Sequence, residues 1–574
     1  MNNKKNTNIV PIIIAIAGVL ATMLLIIVAI LIPKGLGGKN GSGNGNIKEM
    51  SDQDAQKSMD KLLKKVKIHQ AEKVKGTVDY SDNAAANLPN IETKYPLTVT
   101  GDGDVDIEIF STSEKAGKGV NGWLNDTAED FNSQHIRLKN GDIASVSIRS
   151  IPSGASSDYI CNNVYIPQAY TPSNTLFGEL AMQNGADLTL VEEQLVSNTA
   201  GIAISRTAKS NVESKYGSIT FETVIDAVLD GELQMGYTYP YTSATGLNFL
   251  VNSLQYFDSS DMLSADSINK FQQLQKGIPF VCYTTDQMVN AMQSGTLQAG
   301  VTEYQAYVNS PVLKSSYEFI PFGYKHSNPL YSVGELNSDQ QEALDAFVEF
   351  AMSSDRQAKA KENGFNQEQN FNYNTKKISG ADIISAQRLW KEEKDSGTPT
   401  IALFIADVSG SMNGDPINRL KQSLVEASKN IKTDNYVGLI SYSDDVKVNL
   451  PISQFDLEQR SYFAGAVENM RAGGNTSTYD ALVVGIKMVN EMKATMPEAK
   501  TMIFVLSDGM CNRGADYGDA ANLVEHYGIP IYTIGYNEEI DSLKSLSSIN
   551  EAVYIDADSD DVVYELSALF NAQM

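Results

Sequence analysis

Apolar and polar positions divide the chain into three textures. The first is a run from Ile9 to Ile32 without a charged residue. At 1.5 Å per residue, about 24 residues reach about 36 Å, enough to cross a hydrocarbon core near 30 Å thick. The run predicts a transmembrane helix. A cleaved secretory signal would have an apolar core of only about 7 to 15 residues ending in small side chains, whereas Leu31, Ile32 and Pro33 lead here into Lys34. The second texture is sparse. GLGGKNGSGNGN, from Gly35 to Asn46, has the composition of a flexible linker. SDQD from Ser51 offers a capping box, and Met59, Leu62, Leu63 and Val66 recur at helical spacing among lysines, predicting one amphipathic helix. Beyond it, to about Asn90, no period is visible and an extended spacer is expected.

The third texture alternates strands with helices. From Tyr95, PLTVTGD and VDIEIFSTS predict strands, and GWLNDTAEDFNS predicts a helix with Trp123, Thr127, Ala128 and Phe131 along one side. SVSIRSIPSG reads as a strand ending in a glycine turn. A second alternating series begins at Pro399: strands TIALFIADVS, YVGLISYS, KTMIFVLSDG, IPIYTIGY and AVYIDA, with helices at about Ile417–Ile431, Thr478–Met496 and Asp561–Asn571. Strands such as IALFI and MIFVL are apolar throughout, as expected when helices cover both faces of a parallel sheet. The predicted class is α/β in two folded units, with ligands expected at the C-terminal ends of strands.

Length and charge narrow this picture. A chain of 574 residues exceeds one hydrophobic core. A net charge of -25 argues against nucleic acid as a partner, because an acidic body repels phosphate. Lys34 to Lys75 is the exception, holding ten lysines against five acids. Such a stem fits either a solvated spacer or contact with an anionic membrane surface. Cys161, Cys282 and Cys511 are too few and too scattered to imply a disulfide framework. Lys4 and Lys5 precede the apolar run and Lys34 and Lys39 follow it, so orientation rests partly on bulk: residues 1–8 leave no room for a domain, whereas more than five hundred residues follow. The expected organisation is a cytoplasmic tail (1–8), a single membrane span (9–32), a linker and Lys-rich helical stem (33–92), and two extracellular domains (93–390 and 397–574).

The chemistry concentrates in FIADVSGSMNG. Asp407, Ser409 and Ser411 stand at alternate positions just past a buried strand, so their oxygens can point the same way. Three oxygens form part of a hard-cation site, which needs six for magnesium. Further oxygens must come from other loops at the same sheet edge. Asp508 follows the strand MIFVL, and Thr476 follows a double glycine just before a helix. The alternative is that Ser409 and Ser411 cap the next helix and Asp407 is a turn residue. D-x-S-x-S followed by these Thr and Asp positions is similar to the metal-ion-dependent adhesion site of von Willebrand factor type A domains. The resemblance implies a doubly wound Rossmann-like fold and a divalent cation, magnesium first with calcium or manganese as alternatives. It also implies one coordination position kept for an acidic residue of a protein partner. Asp444 and Asp445 are expected in a turn between antiparallel strands, and Asp480 as support for the Thr476 loop.

The segment 93–390 resembles extracellular solute-binding proteins of the type II periplasmic-binding class, in which two α/β lobes close over a ligand. The resemblance is carried by IEIFSTSE, GWLNDTAEDFN, YPYTSATGLNFL and AKAKENGF. Thr242, Ser243 and Thr245 at a helix N-terminus are candidates for a small polar or anionic solute. Ser111, Thr112, Ser113, Ser153 and Gly154 are expected to face them from other strand ends. Helix capping explains the same residues.

Other chemistries lack their residues. Asp102, Asp104 and Asp106 alternate as in a calcium loop, but Ile107 and Ser113 occupy the positions that need glycine and glutamate. No phosphate-binding G-x-x-x-x-G-K-[ST] or nucleophile elbow G-x-S-x-G occurs, and nothing in the sequence promotes a histidine-based triad. The expectation is therefore binding without catalysis: a surface protein that captures an acidic partner through a metal. The alternative is a solute receptor or accessory subunit for a transporter or sensor. Tandem order alone suggests that lobe closure alters how the metal site is presented. A role in a metal-inserting complex fits poorly with an extracellular position.

Overall fold

The computed structural model describes residues 48–574 apart from residues 49, 79–83, 280, 284, 368, 537–539 and 558–560. The membrane span expected at 9–32, the tail before it and the linker as far as residue 47 lie outside the described residues. Among the described residues, no helix is long and apolar enough to cross a membrane.

The stem begins with helix α1 (Asp52–Leu63), capped by the Ser51 side chain, which accepts from Asp54 N–H. Its buried side is Ala55, Met59 and Leu62; of the stripe expected from the sequence, Met59 and Leu62 lie on it, while Leu63 is only partly buried and Val66 falls beyond the helix end. The segment after it is not a free spacer. Strand β1 (Ile68–Gln70) joins the C-terminal domain's sheet as a parallel edge strand, Ile68 opposite Val446 and Gln70 opposite Val448.

The central domain has two lobes. Lobe 1 is a six-stranded mixed sheet built from β2 (Leu97–Val99), β3 (Val105–Ser111), β4 (Ala144–Ser150), β5 (Ala169–Thr171) and β6 (Leu188–Glu192), to which a later strand is added. The chain then crosses to lobe 2, a four-stranded sheet of β7 (Asn198–Ser205), β8 (Met235–Gly236), β9 (Ala299–Glu303) and β10 (Tyr317–His326). It returns with β11 (Leu330–Val333), giving lobe 1 the order β2-β4-β3-β5-β11-β6. Lobe 2 has the order β10-β7-β9-β8. In lobe 1, helix α2 (Trp123–Ser133) buries Trp123, Leu124, Thr127, Ala128 and Phe131, the side that its 3.6-residue period marks. Helices α3 (Ser153–Cys161) and α4 (Ala244–Phe257) start at the cleft from opposite lobes, and α5 (Gly380–Glu393) leads out of the domain.

In the C-terminal domain, β12 (Thr400–Asp407), β13 (Tyr436–Tyr442), β14 (Val446–Gln454), β15 (Lys500–Ser507), β16 (Ile531–Tyr536) and β17 (Tyr554–Ala557) form the order β1-β14-β13-β12-β15-β16-β17. All neighbouring pairs are parallel except β13 with β14. The all-apolar strand β12 feeds two cores. Ala402, Phe404 and Ala406 belong to one, with helices α6 (Asp415–Ser428) and α7 (Leu457–Glu468). Ile401, Leu403 and Ile405 belong to the other, with α8 (Thr478–Thr495), α9 (Tyr517–Tyr527) and α1. The last helix, α10 (Val562–Gln573), packs on α6 through Val562, Leu566, Leu569 and Phe570. Because the chain winds from β12 toward β14 and then restarts at β15 on the other side, β12 and β15 flank the switch point where open α/β sheets bind ligands.

Candidate functional site

At that switch point, β12 ends on Asp407 and β15 is followed directly by Asp508. Asp407 is fully buried, Ser409 and Thr476 are buried, Asp508 is half-buried and Ser411 is exposed. A chain of short contacts joins four of these side chains. Ser409 N–H donates to Asp407 Oδ1 at 2.7 Å, the Ser409 and Ser411 hydroxyls lie 3.1 Å apart, and Ser411 Oγ donates to Asp508 Oδ1 at 2.8 Å.

The loop of Thr476 is tied to the other two through the backbone. Gly410 N–H donates to Gly474 O at 2.9 Å and Gly473 N–H to Val408 O at 2.8 Å. Thr476 N–H donates to Asn512 Oδ1 at 3.0 Å, and Asn512 N–H returns a bond to Thr476 O at 3.0 Å. The three loops thus form a closed triangle, each bonded to the other two. Gly474 has φ +89°, and a Cβ there would collide with the Asp444 carboxylate, so the double glycine is what lets the loop approach. Asp444 stands in the turn between antiparallel β13 and β14, and binds both Asn475 Nδ2 (2.6 Å) and Arg513 (3.1 Å). Asp480 accepts Ala515 N–H at 2.8 Å and so braces the loop after Asp508.

Two supports of Asp407 escaped the sequence reading. Ser507 Oγ donates to Asp407 Oδ2 at 2.5 Å and Tyr442 OH to the same oxygen at 3.3 Å. Ser507 stands immediately before Asp508, which is the signal that was available. Burial lifts the Asp407 carboxyl above its usual range against the donors Ser507 and Ser409, and the Asp508 charge adds to the lift. No lysine or arginine among the described residues pairs with Asp407. Among those residues no group of three or more His, Cys, Asp or Glu side chains gathers as a metal site. This edge offers instead two carboxylates with hydroxyls, a donor set suited to a hard cation such as magnesium or calcium.

The second site is the cleft between the lobes, a cavity of about 730 Å³. Of the residues expected to face a solute, Thr112, Ser113, Ser153, Thr242, Ser243 and Thr245 line it. Ser111 and Gly154 do not. Ser111 is buried as the last residue of β3. Gly154 is where the lobes touch: its N–H donates to Thr242 O at 3.4 Å and a Cβ there would meet Tyr241 O. The lobes also meet through Gln305 Nε2, which donates to Asn121 Oδ1 at 2.7 Å. Two glutamates in the lining, Glu114 and Glu303, were missed by the sequence reading. The lining holds no lysine, arginine or histidine, so the anionic alternative for the solute has no basic side chain to meet it there. The helix N-termini are also partly used: Ser243 Oγ accepts Gly246 N–H at 3.2 Å, and Gly154 N–H is taken by Thr242.

Comparison with known proteins agrees with this division. A family model described as a von Willebrand factor type A domain matches residues 403–569. One described as a bacterial extracellular solute-binding protein matches residues 116–366. Inter-alpha-trypsin inhibitor heavy chain H3 of Bos taurus is 30% identical over 153 residues, which is 25% of this chain and 17% of that protein. A putative extracellular solute-binding protein from Bordetella parapertussis is 13% identical with TM-score 0.35, over 50% of this chain and 99% of that one. A von Willebrand factor type A structure from Catenulispora acidiphila is 17% identical with TM-score 0.28, over 30% of this chain and 42% of that one.

Proposed function

We propose, for a chain that joins a bacterial extracellular solute-binding domain to a C-terminal von Willebrand factor type A domain, a non-catalytic binding role at the cell surface. In this reading the apolar run 9–32 anchors the chain in the membrane as a single span, with the bulk outside. Asp407, Ser409, Ser411, Thr476 and Asp508 hold a divalent cation, magnesium by preference, through which an acidic residue of a protein partner is captured. When bound, the cation would supply an electrophilic centre for that carboxylate. The chain's own part is to supply two negative charges and three neutral hydroxyls, so that a dication is balanced and still attracts one more carboxylate.

The observation that carries the reading is the closed triangle of loops, which brings oxygens from three distant parts of the sequence to one sheet edge. A partner surface is also at hand, for Met510, two residues beyond Asp508, is 76% exposed. Capture of surface proteins by the purified chain, with magnesium and with a chelator, tests the proposal. Bound partner should be lost in chelator and with Asp407→Ala, while the variant keeps its far-UV circular dichroism. Magnesium should raise the melting temperature of the native chain and leave that of Asp407→Ala unmoved. Capture that survives both treatments rules out the metal bridge.

A second activity, reception of a small solute by the central domain, is favoured by the cavity between the lobes. The two readings are compatible, since the sites lie on different domains.

A further inference from the structure

The inter-lobe cleft has a polarity that hydroxyl-rich sequence motifs do not reveal. Glu114 enters from lobe 1, just beyond β3, and Glu303 from lobe 2, as the last residue of β9. Each is held in place by side-chain donors. Glu114 Oε1 accepts from the Thr112 and Ser173 hydroxyls, and its Oε2 has no hydrogen-bond donor among the described residues. Glu303 accepts from Thr245 Oγ1 at 2.8 Å, from Asn198 Nδ2 at 2.7 Å and from His326 Nδ1 at 2.9 Å.

The other ring nitrogen of His326 faces two side-chain amides. Asn248 is oriented by the backbone, donating through Nδ2 to Tyr324 O and accepting Tyr324 N–H on Oδ1. Its Nδ2 therefore presents a donor to His326 Nε2 at 3.2 Å, and so does Asn174 Nδ2, whose amide is turned the same way by Ala244 O. The two amides thus approach Nε2, and Nδ1 is turned toward Glu303. Burial works against the Glu303 charge, but the imidazole contact, Thr245 and the Lys115 ammonium outweigh it and hold the carboxyl below its usual range. The nearest lysine, Lys115, is wholly buried outside the lining. Its ammonium is bonded to Thr112 Oγ1 and Thr171 O, and lies 4.0 Å from Glu114. The two carboxylates are thus the charged side chains of the lining itself, and Glu114 Oε2 is left for a ligand.

We infer that the cleft takes a small organic cation, its ammonium or amidinium group met by Glu114 and Glu303 and the rest of it by the hydroxyl-bearing walls. Tyr283, also in the lining, is an aromatic residue of the kind cations favour. A cavity of about 730 Å³ suits a molecule of amino-acid to cofactor size. The inference rests on the solute-receiving reading of the central domain and adds the chemical class.

The test is a thermal-shift panel on the full chain at millimolar probe: choline, putrescine and L-arginine as cations, sulfate and phosphate as anions, and glucose as a neutral polyol. At least one cation should raise the melting temperature, and Glu114→Gln should weaken its binding by about tenfold, the loss of one charge-assisted contact. Glu303→Gln gives a second measurement on the opposite wall. A shift from sulfate, phosphate or glucose with none from the cations overturns the charge class and leaves solute reception standing. Cation binding unchanged in both variants overturns the assignment to this cleft. Silence from all six probes overturns the inference and the solute reading together.

Discussion

Lys115 illustrates how a single residue sets the behaviour of the cleft. It is 0% exposed, and burial pushes its ammonium down to about 8 against the opposing pull of Glu114 and Glu303. The unfolded chain keeps an ordinary lysine near 10.4. Below about pH 8 both states are charged, so the folded state bears the full cost of the buried charge. Between about pH 8 and 10.4 the unfolded state binds more protons than the folded one, and this residue's contribution to stability rises with pH. The span corresponds to about 3 kcal/mol at most. Urea unfolding followed through the central domain should show wild type gaining stability relative to Lys115→Met as pH rises from about 7.5 to 10. A difference that is flat across this range would mean that the ammonium reaches solvent. At this scale the sequence was legible where residues follow strand ends in a fixed pattern, as at Asp407, Ser409, Ser411 and Asp508. It was silent on Glu114 and Glu303, whose partnership depends on two strands about 190 positions apart lying across one cleft. Nor could spacing reveal that Gly154 serves lobe contact, because a glycine's neighbours in space decide its use.

Among elements, the stem changes meaning once its contacts are known. Helix α1 sends Ala55, Met59 and Leu62 into the core shared with α8 and α9, and β1 extends the sheet along β14. The Asp445 carboxylate receives both Lys67 (2.5 Å) and His69 (3.0 Å), pinning the turn between α1 and β1 to the turn between β13 and β14. Farther on, Gly76 N–H donates to Ser461 O at 2.8 Å, Ser461 Oγ returns a bond to Gly76 O at 2.8 Å, and a Cβ on Gly465 would collide with Val74 O. A strap that follows the C-terminal domain this closely ties the segment from α1 to Gly76 to that domain. Met59→Ala deletes buried volume and should cost about 2 to 4 kcal/mol of docking. Limited proteolysis is the measurement: cleavage within residues 64–78 should accelerate in Met59→Ala, while the melting temperature of the central domain stays put. Equal cleavage rates would show that β1 and the strap hold without α1. The face of α1 could be read from its period, whereas three residues, IHQ, are too few for any period, so β1 becomes visible only through its partner.

For the whole molecule, the decisive element is α10, because it belongs to one domain and touches both lobes of the other. Its inner side packs the Phe570 ring, tilted, against Phe404 and Phe504, centroids 4.8 and 5.0 Å apart, on the two strands that present Asp407 and Asp508. Its outer side meets lobe 1 through Lys94, which pairs with Asp561 and Glu565 at 2.6 Å each. It meets lobe 2 where Tyr283 OH donates to Glu565 at 2.8 Å and Gln573 Nε2 donates to Val281 O at 2.9 Å. Tyr283 also lines the cleft. Tandem order alone gave no geometry for coupling between the sites, but a helix seated on the strands of one and bonded to the wall of the other gives it a physical route. The strength of that route can be measured. Lys94 and Glu565 are mostly buried, so Lys94→Met strands the Asp561 and Glu565 charges and should cost about 3 kcal/mol, whereas Glu565→Gln leaves Lys94 its Asp561 partner and should cost less. A double-mutant cycle with Lys94→Met and Glu565→Gln should give single losses that together exceed the loss of the pair, with a coupling of about 1 to 3 kcal/mol. The same variants should pull the calorimetric transitions of the two domains apart, since the bond that makes them unfold together is weakened. Strict additivity in the cycle, with transitions unmoved, would mean that the Lys94–Glu565 pair carries nothing between the cleft and the Asp407 edge.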